Sequence, residues 1–486
     1  MQPPNIIFVF ADQMRAQATG YAGDPNVKTP YLDQLAGESA NFVNATSNCP
    51  VCTPYRGCLL TGQYPLTHGL FMNDLCLPDN GHSIGHELGR AGYTTAWIGK
   101  WHLDGHGRKA YIPRERRQGF DYWKVLECTH DYNQSQYYDG DDETPRFWDG
   151  YDANAQTDDA CAYIREDAGS GSSKSGRPSS RARSSADASE SPFALFLSFG
   201  TPHDPYDTAP DDLKALYSAE ELVLRDNVPA HRAEIARRQL EGYYAHITAI
   251  DRCMQQIDET LRDCGIAEST ILVFTSDHGD MLESQWHTGG QRRGVRKQVP
   301  YDEAVLVPLL LRYPAKLGAT RRQITTPLAT PDIMPTLLTL AGLPVPSTVE
   351  GMDLSPLLAA ASVETEGSRR SGGAASPART GVLIASYHPF ADWRSARGGR
   401  PYRGIRTERY TFVRDRNGPW LLFDNAADPF QLDNRVNQSA FAHIQSELDT
   451  ELSAMLAEQN DTFERPEDLR RRFGYEVDDR EEIPIR

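Results

Sequence analysis

The run Asn5-Ile-Ile-Phe-Val-Phe10 is apolar without a break and stops at Ala11-Asp12-Gln13. A strand with no polar face has to be covered on both sides. Runs of the same kind recur at 93–98, 193–199, 270–274 and 307–312. Helical spacing fills the gaps, at 31–39, 83–91, 231–264 and 331–341. This alternation predicts an α/β fold: a large mixed, mostly parallel sheet with helices on both faces. Such sheets take their ligands beyond the C-terminal strand ends. The polar residues that follow each strand are therefore the first candidates for function.

The pattern changes after residue 380. Residues 405–413 alternate, and 420–423 follow the turn Asn417-Gly418-Pro419, which predicts an antiparallel hairpin. Helical spacing returns at 440–458. A chain of 486 residues is also too long for one simple core. We therefore expect an α/β domain over 1–380 and a smaller C-terminal α+β subdomain with an antiparallel sheet over 381–486. Residues 168–191 are rich in Ser, Gly and Arg and nearly free of large apolar groups. They and 361–380 read as disordered surface insertions.

The net charge is −17, from 67 acidic and 50 basic residues, which argues against nucleic acid as a partner. An anionic substrate remains compatible, because a local cluster of cations can hold an anion inside an acidic protein. No apolar run approaches the roughly 20 residues a bilayer requires, so no membrane span is expected. The opening MQPPNIIFVF has neither a basic n-region nor a small-residue cleavage site. That predicts a cytoplasmic location; a trimmed start would make it periplasmic or secreted. Eight cysteines do not make a disulfide framework, and the spacing of Cys49, Cys52, Cys58 and Cys76 lacks the paired pattern of structural zinc.

The strand ends deliver Asp12 and Gln13, Lys100 and His102, His203, and Asp277 with His278. Taken singly, each has an ordinary structural explanation as a turn, a cap or a core histidine. Converging at one sheet edge, they suggest a site. Hard divalent cations take oxygen ligands, which Asp12, Gln13 and Asp277 supply, and His278 adds a nitrogen. Lys100, His102, His203 and Lys297 would surround a bound oxyanion. Cys52 lies in Asn48-Cys-Pro-Val-Cys-Thr-Pro-Tyr-Arg-Gly57, where Pro54 suits the first turn of a helix. From the residues alone, Cys52 is either a thiolate activated by the helix dipole or a buried cysteine opening a helix.

Cys52-Thr-Pro-Tyr-Arg56 resembles the Cys-x-Pro-x-Arg signature of the sulfatase family, within the alkaline phosphatase superfamily. The likeness continues through Leu60-Thr-Gly-Gln-Tyr-Pro-Leu-Thr-His68, Gly99-Lys-Trp-His102, Pro202-His-Asp-Pro205, Thr275-Ser-Asp-His-Gly-Asp280 and Pro300-Tyr-Asp-Glu-Ala304. It extends to Asp332-Ile-Met-Pro-Thr336, Glu350-Gly-Met-Asp353, 402–409 and 422–425. The resemblance implies hydrolysis of sulfate monoesters, with a sulfated carbohydrate as natural target and aryl sulfates as artificial ones. It implies that a formylglycine-generating enzyme oxidises Cys52 to formylglycine, whose hydrated aldehyde is the nucleophile. Asp12, Gln13, Asp277, His278 and position 52 would hold a divalent cation, usually calcium, with magnesium or manganese as alternatives. Family members commonly carry two acidic residues where this chain has Asp12-Gln13. Arg56 would stabilise the ionised diol, and Lys100 would bridge diol and sulfate. His203 or Lys297 would serve the leaving oxygen, and His102 the proton of the second diol hydroxyl. Arg296 and His287 compete for the place given to Lys297. Asn73 is a candidate substrate contact, or alternatively a loop cap.

Two other readings compete with this one. A phosphonate monoester or phosphodiester hydrolase of the same superfamily would share the nucleophile, but the Gly-Lys-x-His pair of Lys100 and His102 favours the sulfatase. A non-catalytic protein of this fold would be expected to have lost some of the catalytic residue types. The pocket wall is expected from loops at 104–117, 128–148 and 388–403, the last rich in Arg, Trp and Tyr.

Overall fold

The computed structural model describes residues 2–168, 191–286, 294–360 and 379–484. Nearly all of the two expected insertions, 168–191 and 361–380, lies outside the described residues. The strands, in chain order, are β1 (Asn5–Asp12), β2 (Ala40–Phe42), β3 (Ala45–Thr46), β4 (Thr94–Lys100), β5 (Tyr122–Leu126), β6 (Gln136–Asp139), β7 (Asp142–Phe147) and β8 (Phe193–Pro202). They continue with β9 (Thr270–Ser276), β10 (Leu309–Arg312), β11 (Arg322–Ile324), β12 (Leu328–Ala329), β13 (Gly381–Ser386), β14 (Tyr402–Thr407), β15 (Tyr410–Asp415) and β16 (Gly418–Asp424).

One sheet runs β11-β2-β10-β9-β1-β8-β4-β5-β6-β7. Its centre, β9-β1-β8-β4-β5, is parallel, and β10, β6 and β7 pair antiparallel with their neighbours. The unbroken apolar run of β1 has the expected cause. Ile6, Phe8 and Phe10 belong to one core, while Ile7, Val9 and Ala11 belong to the other. Burial of each large side chain contributes roughly 1.5–3 kcal/mol.

The second core is closed by the helix Ala233–Asp263. Its buried Leu240, Tyr243, Ile247, Ile250, Met254, Ile257 and Leu261 recur at helical spacing. The first core receives the helices Cys52–Thr61 and Ile333–Leu340. Every residue of Cys52–Thr61 is buried. The helix ends at Gly62, whose φ of 65° is the left-handed conformation that glycine adopts readily.

The C-terminal segment forms a four-stranded antiparallel sheet, β13-β14-β15-β16, against which the helix Ala442–Glu458 packs. Residues 405–413, expected to be one strand, belong to two. Thr407 Oγ1 accepts from the N–H groups of Arg409 (3.2 Å) and Tyr410 (2.7 Å), closing a turn that alternation alone conceals. Residues 136–147, expected within a loop, form the hairpin β6-β7 at the sheet edge. Tyr137 stacks on Trp148 at 4.3 Å and braces it. Among the described residues, no helix is long and apolar enough to cross a membrane.

His246, inside the long helix, is buried with Nδ1 2.6 Å from the Tyr151 hydroxyl. Burial pushes its pKa from 6.5 down to about 3. A folded value below the unfolded one means that its stabilising effect is full above pH 6.5 and is lost as pH falls toward 3. Chemical unfolding below pH 6.5 should therefore show wild-type stability falling more steeply than that of His246→Gln, by up to about 1.4 kcal/mol per pH unit. Parallel slopes would exclude a neutral buried His246.

Candidate active site

Four adjacent parallel strands, β9-β1-β8-β4, end at the site. Strand β1 delivers Asp12 and Gln13, β4 Lys100 and then His102, β8 His203, and β9 Asp277 and His278. The N-terminus of the helix Cys52–Thr61 brings Cys52 and Arg56 to the same place. All nine of these residues are buried.

One ligand atom each from Asp12, Cys52, Asp277 and His278 falls within 4.8 Å of the others. The Cys52 Sγ lies 3.2 Å from His278 Nε2 and 3.5 Å from Asp12 Oδ1. His278 Nδ1 lies 2.9 Å from the Gly279 carbonyl, so it carries a proton and Nε2 is the ring atom turned to the cluster. Asp277 Oδ2 and Gln13 Oε1 are buried without a hydrogen-bond partner. Gln13 Nε2 donates to Asp280 Oδ2 at 2.7 Å, which assigns the orphaned atom as the amide oxygen. Two carboxylates, an amide oxygen and an imidazole nitrogen form the donor set of a hard divalent cation, and the residues present fit one. Burial and the neighbouring Asp12 push the Asp277 carboxyl up, as expected where two carboxylates share a dry site.

The cations form a second set. Lys100 Nζ donates to Asp12 Oδ2 at 2.7 Å. Arg56 reaches Asp12 Oδ2 at 3.3 Å and Asp277 Oδ2 at 3.6 Å, and its other nitrogen donates to the Lys100 carbonyl and Ser198 Oγ, both at 2.8 Å. Lys297 Nζ lies 3.4 Å from Cys52 Sγ and 3.0 Å from His203 Nε2. Lys297 therefore occupies the place for which Arg296 competed, since Arg296 pairs with Asp204 and covers the Tyr206 ring. His287 lies outside the described residues. Burial and Asp12 push the Cys52 thiol up, but Lys100, Lys297 and His278 outweigh them, and its pKa ends well below the ordinary value.

The backbone bends to make this arrangement. Gln13 (φ 70°), His102 (φ 57°) and Gln298 (φ 70°) are non-glycine residues in the left-handed region, the kind of strain that persists where surroundings over-determine a site. Gly99, just before Lys100, has φ 94°, and a Cβ there would stand 2.2 Å from the Ser198 carbonyl oxygen. The Tyr243 hydroxyl holds the turn after β1, accepting from Arg15 N (2.9 Å) and donating to the Gln13 carbonyl (3.0 Å).

Asn73 Oδ1 accepts from Thr53 N at 3.1 Å, so its carbonyl caps the nucleophile helix. Its neighbour Asp74, absent from the sequence-based candidates, holds His102 Nε2 at 3.1 Å and Arg108 at 3.0 Å. Asp280 orients Gln13 and also accepts from the Tyr206 hydroxyl. Within the expected pocket wall at 388–403, Trp393 and Tyr402 are buried and Arg403 pairs with Asp461, while Arg394, Arg397 and Arg400 remain partly exposed. Trp393, Tyr402 and Arg403 are thus engaged in packing and pairing within the protein.

The family model for sulfatases matches residues 4–343, and that for the C-terminal part of N-sulphoglucosamine sulphohydrolase matches 290–458. The chain belongs to the sulfatase family. It is 41% identical over 475 residues to an ulvan-active sulfatase of Formosa agariphila, covering 97% of this chain and 84% of that one. It is 31% identical over 530 residues to an endo-4-O-sulfatase of Bacteroides thetaiotaomicron, covering 97% and 95%. A structure solved in work on glycosaminoglycan metabolism by Bacteroides thetaiotaomicron superimposes with a TM-score of 0.78 at 30% identity, covering 95% and 98%. This sulfatase is thus a sulfuric ester hydrolase built on a mostly parallel sheet with a C-terminal antiparallel sheet.

Asp74 gives a test of the site's electrostatics. Burial pulls the His102 imidazole down, but Cys128, Asp74 and Cys52 outweigh it and its pKa is pushed up to about 10. Removing the Asp74 charge should lower that value. In Asp74→Asn, the limb of the kcat/KM profile governed by His102 should move to lower pH by about one unit or more. An unmoved profile would separate Asp74 from His102 in function.

Proposed function

We propose that this sulfatase hydrolyses sulfate monoesters carried on a saccharide, with Cys52 oxidised to formylglycine. A divalent cation would sit among Asp12, Gln13, Asp277, His278 and position 52, calcium first, with magnesium or manganese as alternatives. The reading rests on one observation. Carboxylate and imidazole groups suited to a cation, and ammonium groups suited to a sulfate, converge on the Cys52 side chain. Similarity to an ulvan-active sulfatase and to an endo-4-O-sulfatase supports a saccharide carrier.

In its oxidised form, position 52 supplies a hydrated-aldehyde oxygen directed at sulfur, and the cation supplies Lewis-acid polarisation. Arg56 balances negative charge at position 52 and on both carboxylates. Lys100, fixed by Asp12, presents its ammonium group to the sulfate. Although burial lowers the Lys297 pKa, Cys52 and Asp12 raise it further, and the ammonium keeps its proton. Burial and Lys297 together hold His203 well below its ordinary value, and the imidazole is neutral. The proton for the departing alcohol therefore starts on Lys297 Nζ and reaches the leaving oxygen directly or through His203 Nε2. His102 is anchored through Nε2. Its Nδ1 is buried and without a partner, and takes a proton from the position-52 side chain only in the neutral form, which the raised pKa makes the minor form at neutral pH.

The deciding measurement is the mass of the residue-52 peptide from protein made alongside a formylglycine-generating enzyme, paired with turnover of sulfate esters. The aldehyde or its hydrate should appear together with activity, and an unmodified thiol in active protein would overturn the nucleophile. Lys100→Ala should cut turnover by about 100-fold or more, the scale of a lost transition-state donor. Chelation should abolish activity, and Asp277→Asn should weaken metal binding measured directly by calorimetry. Full activity in chelator would remove the cation from the reaction.

A further inference from the structure

A cavity of about 140 Å³ lies beside the active site, lined in part by Arg108, Glu127, Gln134, Gln136, Tyr138 and Phe147. That is an order of magnitude more room than a single water needs. Two contacts tie it to the catalytic groups. Arg108 pairs with Asp74, which holds His102. Cys128 and Thr129, also on its wall, precede His130, whose ring stacks on His203 at 4.8 Å. The cavity therefore adjoins the residues assigned to the leaving group and to regeneration.

Its lining is unusual for a surface that has only to fold. Every residue of β7 is exposed, and Phe147 is 61% exposed beside its cross-strand partner Gln136. The hairpin is already braced by the Tyr137–Trp148 stack and the Arg146–Asp139 ion pair, neither of which involves Phe147. At the opposite end of the depth range, Glu127 is 3% exposed. Its Oε1 accepts from the N–H groups of Asp104 (2.9 Å) and Gly105 (3.1 Å), while Oε2 is buried with no partner. An open aromatic face, the exposed amide of Gln134 and an unsatisfied buried acceptor are what a pyranose ring engages. Its C–H face stacks on the aromatic ring and its hydroxyls meet the planar polar groups.

We propose that this cavity binds a second sugar unit, attached to the sulfated one, so that the enzyme recognises its ester within an oligosaccharide. The proposal rests on the saccharide reading above and adds the place and the chain length. Phe147 and Gln134 are specificity residues, remote from the reacting atoms.

The test uses the formylglycine-bearing holoenzyme with an aryl sulfate, a sulfated monosaccharide and the matching sulfated oligosaccharides of two to four units. Wild type should prefer the oligosaccharides. Phe147→Ala should lower kcat/KM on oligosaccharides about three- to tenfold, chiefly through KM, the scale of one lost stacking contact. The same variant, and Gln134→Ala, should stay within about twofold of wild type on the aryl sulfate, which does not reach the cavity. Equal kcat/KM for variants and wild type on oligosaccharides would overturn the cavity assignment, as would an equal loss on every substrate. Wild type that cleaves the aryl sulfate but no sulfated sugar would instead remove the saccharide reading itself, and the cavity proposal with it.

Discussion

The buried carboxylate of Asp12 is the point on which the rest of the arrangement depends. It has no contact with solvent, and an unpaired charge at that depth would cost several kcal/mol. Lys100 comes to it from β4 at 2.7 Å and Arg56 from the nucleophile helix at 3.3 Å, while Cys52 stands within 3.5 Å. Two strands and one helix, far apart in sequence, are therefore held in one register by a single anion. Although burial raises the Asp12 carboxyl, its cationic neighbours, Lys100 first, hold it well below the usual carboxylate range. The carboxylate is thus favoured in its charged form, with Lys100 and Arg56 as its partners.

The parallel sheet explains why such a cluster forms where it does. Neighbouring strands β9, β1, β8 and β4 all point their C-terminal ends one way, so residues separated by more than 260 positions, such as Gln13 and Asp277, meet within one hydrogen bond of 2.9 Å. The opposing helix then aims its N-terminus at that edge. With Val51 offering no side-chain cap and Asn73 capping Thr53, the helix start favours negative charge at position 52. Cations from β4 and from the segment before residue 300 add to the same effect. A cysteine in this place has a depressed pKa for reasons of architecture as much as of neighbours.

The strand-end residues were legible because their logic is local: an apolar run stops and a ligand-type side chain follows. Asp12, Gln13, Lys100, His102, His203, Asp277 and His278 were all found this way, and the geometry brings them to one edge. Asp74 and Asp280 were not singled out, because they act on His102 and Gln13 across 28 and 267 positions and carry no periodic signal. The 388–403 segment looked like a binding loop because Trp, Tyr and Arg suit ligands. Trp393, Tyr402 and Arg403 equally suit a packed interior, and only tertiary burial distinguishes the two uses. The β6-β7 hairpin was hidden for the opposite reason. Its residues are too polar to alternate, since it pairs at an open edge and has no core to face. Residue 147 could have been noticed as a large apolar side chain in that polar context.

Gln13 shows how the site's charges divide between two tasks. Asp12 and Asp277 carry two formal negative charges, which match one divalent cation, and the amide of Gln13 adds a ligand oxygen without adding charge. A second acidic residue at position 13 would place three carboxylates within one buried cluster and draw Arg56, Lys100 and Lys297 toward neutralising them. With an amide there, the positive charge of the two lysines exceeds what the carboxylates require. It is left facing position 52, where an anionic ester and then a free sulfate would have to be held. Asp280 keeps the amide in that role by accepting from its Nε2, and the positive φ of Gln13 turns the residue out of the strand. The strain at Gln13, its orphaned Oε1 and the nearby lysines are what the proposed pairing of a cation and an anion in one buried space would require.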